Sequence, residues 1–430
     1  MTNQDQNNFK SISPKEWKLK VQAELAGLDY NEVLVWDTLE GIQIKPVYTE
    51  EDKNSDFSQN IKTQKDWKLI GELIDAENQD YSYLYGFKVK ENQFQSVTKL
   101  PEYLDFFYSI ENPYSFLEND FSKIKNLQYL GLDVIGNFAS TGNWYKSQDE
   151  DFELTKNAIQ NKAFEKSIEI NASLYQNAGA NHVQQIAYAI AHGIEFLEKF
   201  GAEAAEKIYF KVAIGGNYFF EIAKLRALRK LWNFIVEESY GIQQETFIYA
   251  ENSLRNKSIL DIHNNIIRSG LEASSAIQGK ADAVNLLSFN SITNSTDFSE
   301  ELASKQQLLL QKEAYFDKFS DPISGAYYIE NLSELIIKNA LDIFQKIEAD
   351  GGFIKSLFNG SIQKSISKSE NKEQELFDKG ELVLIGVNKF RNPEDKIHPI
   401  EKKSRNERTL IQPILTKRLS EKIENQQNVS

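Results

Sequence analysis

From Trp67 onward, short apolar runs of strand length alternate with longer stretches whose apolar residues recur three and four apart. That is the pattern of parallel βα units, not of an antiparallel sandwich. Runs at 68–74, 83–89, 104–110, 129–134, 167–170, 208–213, 246–249 and 283–287 predict eight strands, the number that closes a barrel. Helical spacing is clearest over 183–200, 219–238, 260–278 and 299–319, and again over 333–349, where Gly351-Gly352 ends it. The expected fold is α/β, a TIM-type (β/α)8 barrel, although a doubly wound open sheet gives a similar alternation.

The flanks read differently. Ser13-Pro14-Lys15-Glu16 places a hydroxyl at the N-cap, proline at N1 and glutamate at N3, which starts a helix with a capping box. Gly27 is its expected C′ stop. Residues 50–65 are polar without an apolar period and read as a linker. The expected division is an arm and linker over 1–66, the barrel over 67–360 and a C-terminal extension over 361–430. The extension holds a mixed-charge stretch at 364–379, a last possible strand at 382–387 and a helical segment at 416–424. Trp17, Leu19, Val21 and Leu25 follow no single helical stripe, so the arm is expected to find its burial outside its own barrel.

Composition narrows the function. The chain has no cysteine, which removes disulfides, thiolate nucleophiles, thiolate zinc sites and iron–sulfur clusters together. A net charge of -14 repels phosphate backbones and anionic lipid, so nucleic acid is not expected as a partner. No apolar run approaches the roughly 20 residues of a membrane span, and the first residues carry neither a basic cluster nor an apolar stretch. A cytoplasmic location is the expectation. His182, His192, His263 and His398 are scattered with no two-histidine metal spacing.

Three motifs invite chemistry and none sustains it. Asp261-Ile262-His263 begins like D-x-H-x-x-G, with which enzymes hold cobalamin through an axial histidine, but Ile266 stands at the glycine and the segment runs on at helical spacing through Ile267, Arg268 and Leu271. It reads as a helix start with Asp261 near the positive end of the dipole. Ile214-Gly215-Gly216-Asn217 joins a strand to a helix, where a phosphate could meet free N–H groups. It matches neither G-x-G-x-x-G nor a Walker A loop, and reads as a tight βα turn. The pairs Glu237-Glu238 and Glu300-Glu301 point in different directions on a helix and read as solvated faces.

Four segments, in order, closely resemble the methylmalonyl-CoA mutase family. Trp36-Asp37-Thr38-Leu39-Glu40-Gly41-Ile42-Gln43-Ile44-Lys45-Pro46-Val47-Tyr48-Thr49 is similar to its E-G-I-x-x-K-P-x-Y-T signature. Asn177-Ala178-Gly179-Ala180 with Gln184-Gln185-Ile186-Ala187-Tyr188-Ala189 is the second match, and the run from Val212 to Trp232 the third. The fourth is Asp321-Pro322 with Gly325-Ala326-Tyr327-Tyr328-Ile329-Glu330, followed by Gly351-Gly352-Phe353.

The resemblance implies a coenzyme B12-dependent interconversion of succinyl-CoA and methylmalonyl-CoA, in a barrel that admits the CoA arm and is capped by a separate cobalamin domain. Two departures place this chain beside the chemistry. At the family's Tyr-His pair it has Ser173 and Leu174, and leucine cannot donate a hydrogen bond to a thioester carbonyl. Leu415-Thr416-Lys417-Arg418-Leu419 looks like the end of the arm that leads to the cobalamin domain, which is expected to be absent. The resemblance therefore implies a non-catalytic small subunit that binds no cofactor itself. It would pair as a heterodimer with a catalytic large subunit carrying adenosylcobalamin, through an obligate interface above about 2,000 Å². The bore is expected to be filled by side chains. Two other readings stay open: the barrel subunit of a split acyl-CoA mutase that receives cobalamin from a separate domain, and an accessory protein that binds CoA or cofactor at the barrel mouth.

Overall fold

A computed structural model describes residues 12–52, 66–75, 79–117, 121, 127–395 and 408–426. Eight parallel strands form its centre: β1 (Lys68–Glu72), β2 (Gly86–Lys90), β3 (Asp105–Ser109), β4 (Leu127–Gly131), β5 (Ile168–Asn171), β6 (Ile208–Ile214), β7 (Ile248–Asn252) and β8 (Ala283–Asn285). Their order is β4-β3-β2-β1-β8-β7-β6-β5. The two ends meet through a parallel bridge between Tyr129 and Lys166, with Lys166 donating from N–H to the Gln128 carbonyl at 2.8 Å and accepting from Leu130 N–H at 2.9 Å. The sheet is thus a nearly closed (β/α)8 barrel, as the alternation predicts.

Side chains alternate across the strands with period two. One set, including Phe87, Phe106, Ile168, Phe210, Val212 and Ala250, packs outward against the helices in the main core. The other set points into the bore, where Ile70, Phe107, Tyr129, Tyr209, Tyr249 and Ala283 form a core of their own. Helices α1 (Pro14–Glu24), α2 (Ser173–Asn177), α3 (His182–Phe200), α4 (Tyr218–Tyr240), α5 (Asn264–Gln278), α6 (Asp297–Lys312), α7 (Tyr327–Ala349), α8 (Ser361–Asp378) and α9 (Glu421–Gln426) place the rest.

Several boundaries differ from the sequence reading. The expected helix over 260–278 starts at Asn264 because Asp261 takes a left-handed backbone, φ 42°. The helix expected to reach 319 stops at Lys312, and Tyr315, also left-handed, redirects the chain into a short 3-10 turn. Residues 382–387 form no strand. Leu384 N–H is held by the Asn388 side chain at 2.8 Å and Gly386 has φ 80°, so this is a side-chain-supported turn. The mixed-charge stretch at 364–379 lies in the helix α8.

The capping box of α1 forms as expected, with Ser13 and Glu16 each satisfying the other's backbone. Its end is one residue earlier than expected: Ala26 is already left-handed at φ 52°, ahead of Gly27 at φ 97°. No residue of α1 is buried, but the chain after it is not free of the barrel. Ile42 is 3% exposed in the main core, Trp36 meets the Phe220 ring, and Asn331 reaches the Asp52 carbonyl at 2.8 Å. Residues 36–52 therefore bury themselves on their own barrel, contrary to the expectation for the arm. Most of the expected linker, 53–65, lies outside the described residues.

Residues 408–426 stitch across segments that follow β4, β5 and β7. Ile414 N–H donates to the Ala139 carbonyl at 2.8 Å, Lys417 N–H to Asn177 and Leu419 N–H to Arg255, both at 2.9 Å. Ser258 then holds the Glu424 carboxylate at 2.8 Å.

Candidate functional site

The C-terminal ends of the strands are where a barrel of this kind keeps its chemistry. Here that end of the bore carries a layer of charge supplied by the inward positions. Glu72, Lys88, Glu169, Lys211 and Glu251 face one another, joined by Asn285. Lys88 Nζ lies 3.5 Å from Glu72 and 3.9 Å from Glu251, and Lys211 Nζ is 3.3 Å from Glu251. Tyr209 donates to Glu169 at 2.7 Å. Burial opposes the charge on Lys88, but Glu72 and Glu251 outweigh it and hold the ammonium above the ordinary lysine range. Burial likewise opposes ionisation of Glu251, and Lys211 and Lys88 overcome it. Burial wins at Glu169, whose carboxyl sits above its usual value despite Lys211.

Beneath this layer Phe107 stacks on Tyr129 with ring centroids 4.0 Å apart, and Tyr249 lies 4.9 Å from Phe107. At the lower end Lys68 binds Asp105 and the Tyr129 hydroxyl. What remains at the charged layer is a cavity of about 30 Å³ between Lys88, Phe107, Glu169 and Tyr249, room for one or two waters. Pockets that take drug-sized ligands are roughly ten times larger. The bore closes on its own side chains.

Ser173 and Leu174 lie in α2, directly after β5. Ser173 is buried beside Glu251, whereas Leu174 is part of the main core, 7% exposed. A tyrosine–histidine couple does exist one residue further on. Tyr175 Oη lies 2.9 Å from His192 Nδ1, and His192 Nε2 lies 2.9 Å from Asp133. All three are buried, with His192 stacked on Phe353, so the couple is a core hydrogen-bond chain rather than a reacting group.

The turn at Gly215-Gly216 holds an anion, and the anion is the protein's own. Gly215 N–H donates to Glu221 Oε1 at 2.8 Å. The same oxygen receives His182 Nε2 and Gln176 Nε2, each at 3.2 Å, and Glu221 Oε2 is 2.5 Å from Lys224 Nζ. Burial alone would raise this carboxyl; Lys224 and His182 bring it down to about 2. His182 Nδ1 turns to Glu40, 2.6 Å away. Burial disfavours the imidazolium, yet hydrogen bonds to Glu221 and Glu40 lift its pKa to about 9.

These contacts join the four segments on which the family resemblance rests. Glu40 of the first meets His182 beside the second, and the other nitrogen of that ring meets Glu221 of the third. Lys224 of the third also reaches Gln185 of the second at 3.0 Å. Arg226 of the third binds Asp321 and Glu330 of the fourth, each at 2.9 Å. The resembling residues thus hold the shell of the barrel together. Sequence reading missed this network; its signal was Glu221, Lys224, Arg226, Arg229 and Lys230 in the part of a helix, Phe220 to Trp232, that is otherwise wholly apolar.

The residues present do not fit a cobalamin. His263 is exposed, at the N-cap of α5 with its ring 5.3 Å from Phe289, and Ile266 lies in the helix where the axial loop would need glycine. No cluster able to hold a metal ion occurs among the described residues. Of the acidic pairs, Glu300 accepts from Ser288 at 2.9 Å and Glu301 pairs with Lys305 across one helical turn. No described helix is long and apolar enough to cross a membrane.

Comparison with known proteins gives a consistent picture. A family model described as methylmalonyl-CoA mutase matches residues 120–428. A Porphyromonas gingivalis protein named methylmalonyl-CoA mutase small subunit is 27% identical, over 90% of this chain and 71% of its own length. The methylmalonyl-CoA mutase of Rhizobium meliloti is 34% identical over 52% of this chain, but only 33% of its own length is covered. The protein named methylmalonyl-CoA mutase large subunit in Porphyromonas gingivalis is 32% identical over 58% of this chain and 36% of its own. The chain therefore spans about a third of the longer relatives.

Proposed function

This chain belongs to the methylmalonyl-CoA mutase family, and we propose that it works there as a non-catalytic small subunit. In this reading it supports a catalytic large subunit that carries adenosylcobalamin and interconverts succinyl-CoA and methylmalonyl-CoA, in a heterodimer and in the cytoplasm. The observation that carries the reading is the filled bore: the charged layer above stacked aromatics leaves about 30 Å³, where a thioester and its pantetheine arm would have to lie. Leu174 in place of a histidine removes the hydrogen bond to the thioester carbonyl. A fold can keep its packing and its interfaces after its site has gone.

The name of the similar Porphyromonas gingivalis protein, and the separate large subunit in the same organism, favour the heteromer. The test is co-expression with the longer homologue from the same genome. The expected result is a stable one-to-one complex whose mutase activity survives substitution of Ser173 and Leu174, while the purified small chain alone has no activity and retains no cobalamin. Turnover by the small chain supplied with free cofactor would overturn the proposal and favour the split-mutase reading.

A further inference from the structure

At the opposite end of the barrel, where the chain enters β1 and β8, lies a cavity of about 250 Å³. Its walls are Trp67, Ile277 and Phe316, its rim Tyr315 and Phe319, and Lys280 stands in the lining. We propose that this cavity binds a small amphipathic monoanion, a carboxylate on an apolar or aromatic body of roughly a dozen non-hydrogen atoms, with Lys280 as its counter-charge.

The charges around the cavity select the sign. Arg229 is matched by Asp282 at 2.7 Å and by the carbonyls of Thr246 and Lys280. Arg226, behind it, is matched by Asp321 and Glu330. Asp66 is exposed and keeps its hydration. Lys280 is half-buried, and among the described residues no acid lies within ion-pair distance of its ammonium. Burial works against its charge, Asp321 and more weakly Asp66 offset part of this, and Arg226 and Arg229 add to it, so its proton affinity is depressed. A carboxylate brought alongside would counter that depression, whereas a cation would deepen it.

The walls select the rest of the ligand. They are mostly apolar or aromatic; of the polar lining, Arg229 and Asp282 neutralise each other, which leaves Gln278, the hydrated Asp66 and Lys280, a small polar set on an apolar wall as is usual in a small-molecule site. The backbone adds an independent observation. Only five non-glycine residues among those described have positive φ, and two of them, Lys280 at 68° and Tyr315 at 57°, line this one cavity. Such conformations are strained for residues other than glycine and cluster at ligand clamps.

The experiment is calorimetric titration of the full-length chain at pH 7 with 4-phenylbutyrate and, separately, with 4-phenylbutanol, which has the same body without the charge. The acid is expected to bind about tenfold tighter than the alcohol, the scale of one charge-assisted contact. Lys280→Met should erase that difference, Lys280→Arg should keep it, and Phe319→Ser, an exposed position, should weaken both ligands equally. Equal affinity of the wild-type chain for acid and alcohol, no binding of either, or an unchanged acid affinity in Lys280→Met would each overturn the proposal. If Lys280→Met does not fold, acid preference lost in Lys280→Arg or affinity unmoved by Phe319→Ser would do so.

Discussion

The Glu221 carboxylate and the Gly215 N–H are hydrogen-bonded at 2.8 Å, so the βα turn that could have met a phosphate is occupied from within. A Cβ on Gly215 would come within 2.6 Å of the Gln176 amide nitrogen, which is why the turn needs glycine as well as the carboxylate. Removing the charge strands Lys224, whose Nζ is buried against Gln176, Gln185 and the Ala213 carbonyl. Glu221→Gln is therefore expected to cost about 3–5 kcal/mol. Urea unfolding followed by circular dichroism measures it, and a loss below about 1 kcal/mol would mean the site relaxes around the unpaired lysine.

The His182 clasp gives stability a pH dependence. Its folded pKa, about 9, lies above the ordinary 6.5. The folded state therefore binds the extra proton, and its contribution is complete below pH 6.5 and lost as pH rises through 9. The loss is at most about 3–4 kcal/mol, since each tenfold gain in proton affinity on folding is worth about 1.4 kcal/mol. Melting temperature recorded from pH 6 to pH 10 should fall across that window, and Glu40→Gln should flatten the fall.

Glu348 works in the opposite sense to a paired acid. Burial, with Glu198 and Glu195 nearby, raises its carboxyl to about 7. A carboxyl that is harder to ionise when folded destabilises the fold as pH rises from about 4.5 through 7. Glu348→Gln should raise the melting temperature at pH 8 and leave it unchanged at pH 4. An equal rise at both values would point to packing in place of charge.

Deleting residues 1–28 should leave the barrel's melting temperature nearly unchanged, because no residue of α1 is buried and its ring contact is with Tyr30 of the arm itself. Deleting residues 1–50 should lower it, because the Glu40 clasp and the buried Ile42 go with it. If the first deletion also lowers recovery of the complex with the large subunit, the exposed Ile12, Leu19 and Leu28 are the surface responsible.

Restoring the family histidine should not restore chemistry. Leu174→His places a polar ring in an apolar core position, at a cost of about 1–3 kcal/mol, and faces no substrate-sized space. Measurable turnover by that variant would show that the bore opens in the assembled enzyme.

All eight strands were legible because each carries an apolar outward set between helical stretches; their bounds shifted where a turn was held by side chains. Thr246 and Phe247 precede β7, and Val134 already belongs to the next helix. The filled bore was half legible. Lys68, Ile70 and Glu72 alternate with Leu69 and Gly71 in a strand whose outward face is apolar, so charge at inward positions was written there. Which charges meet was not, since Glu251 and Lys88 become neighbours only through the order of the sheet. The arm misleads because its unstriped first helix does not represent the whole, and the burial sits in residues 36–52.

The clasp of Glu40 on His182 spans 142 positions of sequence, and that of Ser258 on Glu424 spans 166. Contacts between such distant residues are paid for in loop-closure entropy before they return anything, so they form late and slowly. On a ribosome the segment 36–52 must wait, with Ile42 uncovered, until α3 and α4 have emerged. The loops after β4, β5 and β7 wait longer still, for residues 408–426. The half-made barrel is thus uncovered at the C-terminal ends of its strands for much of its synthesis, and demand for a chaperone should be greatest in that interval.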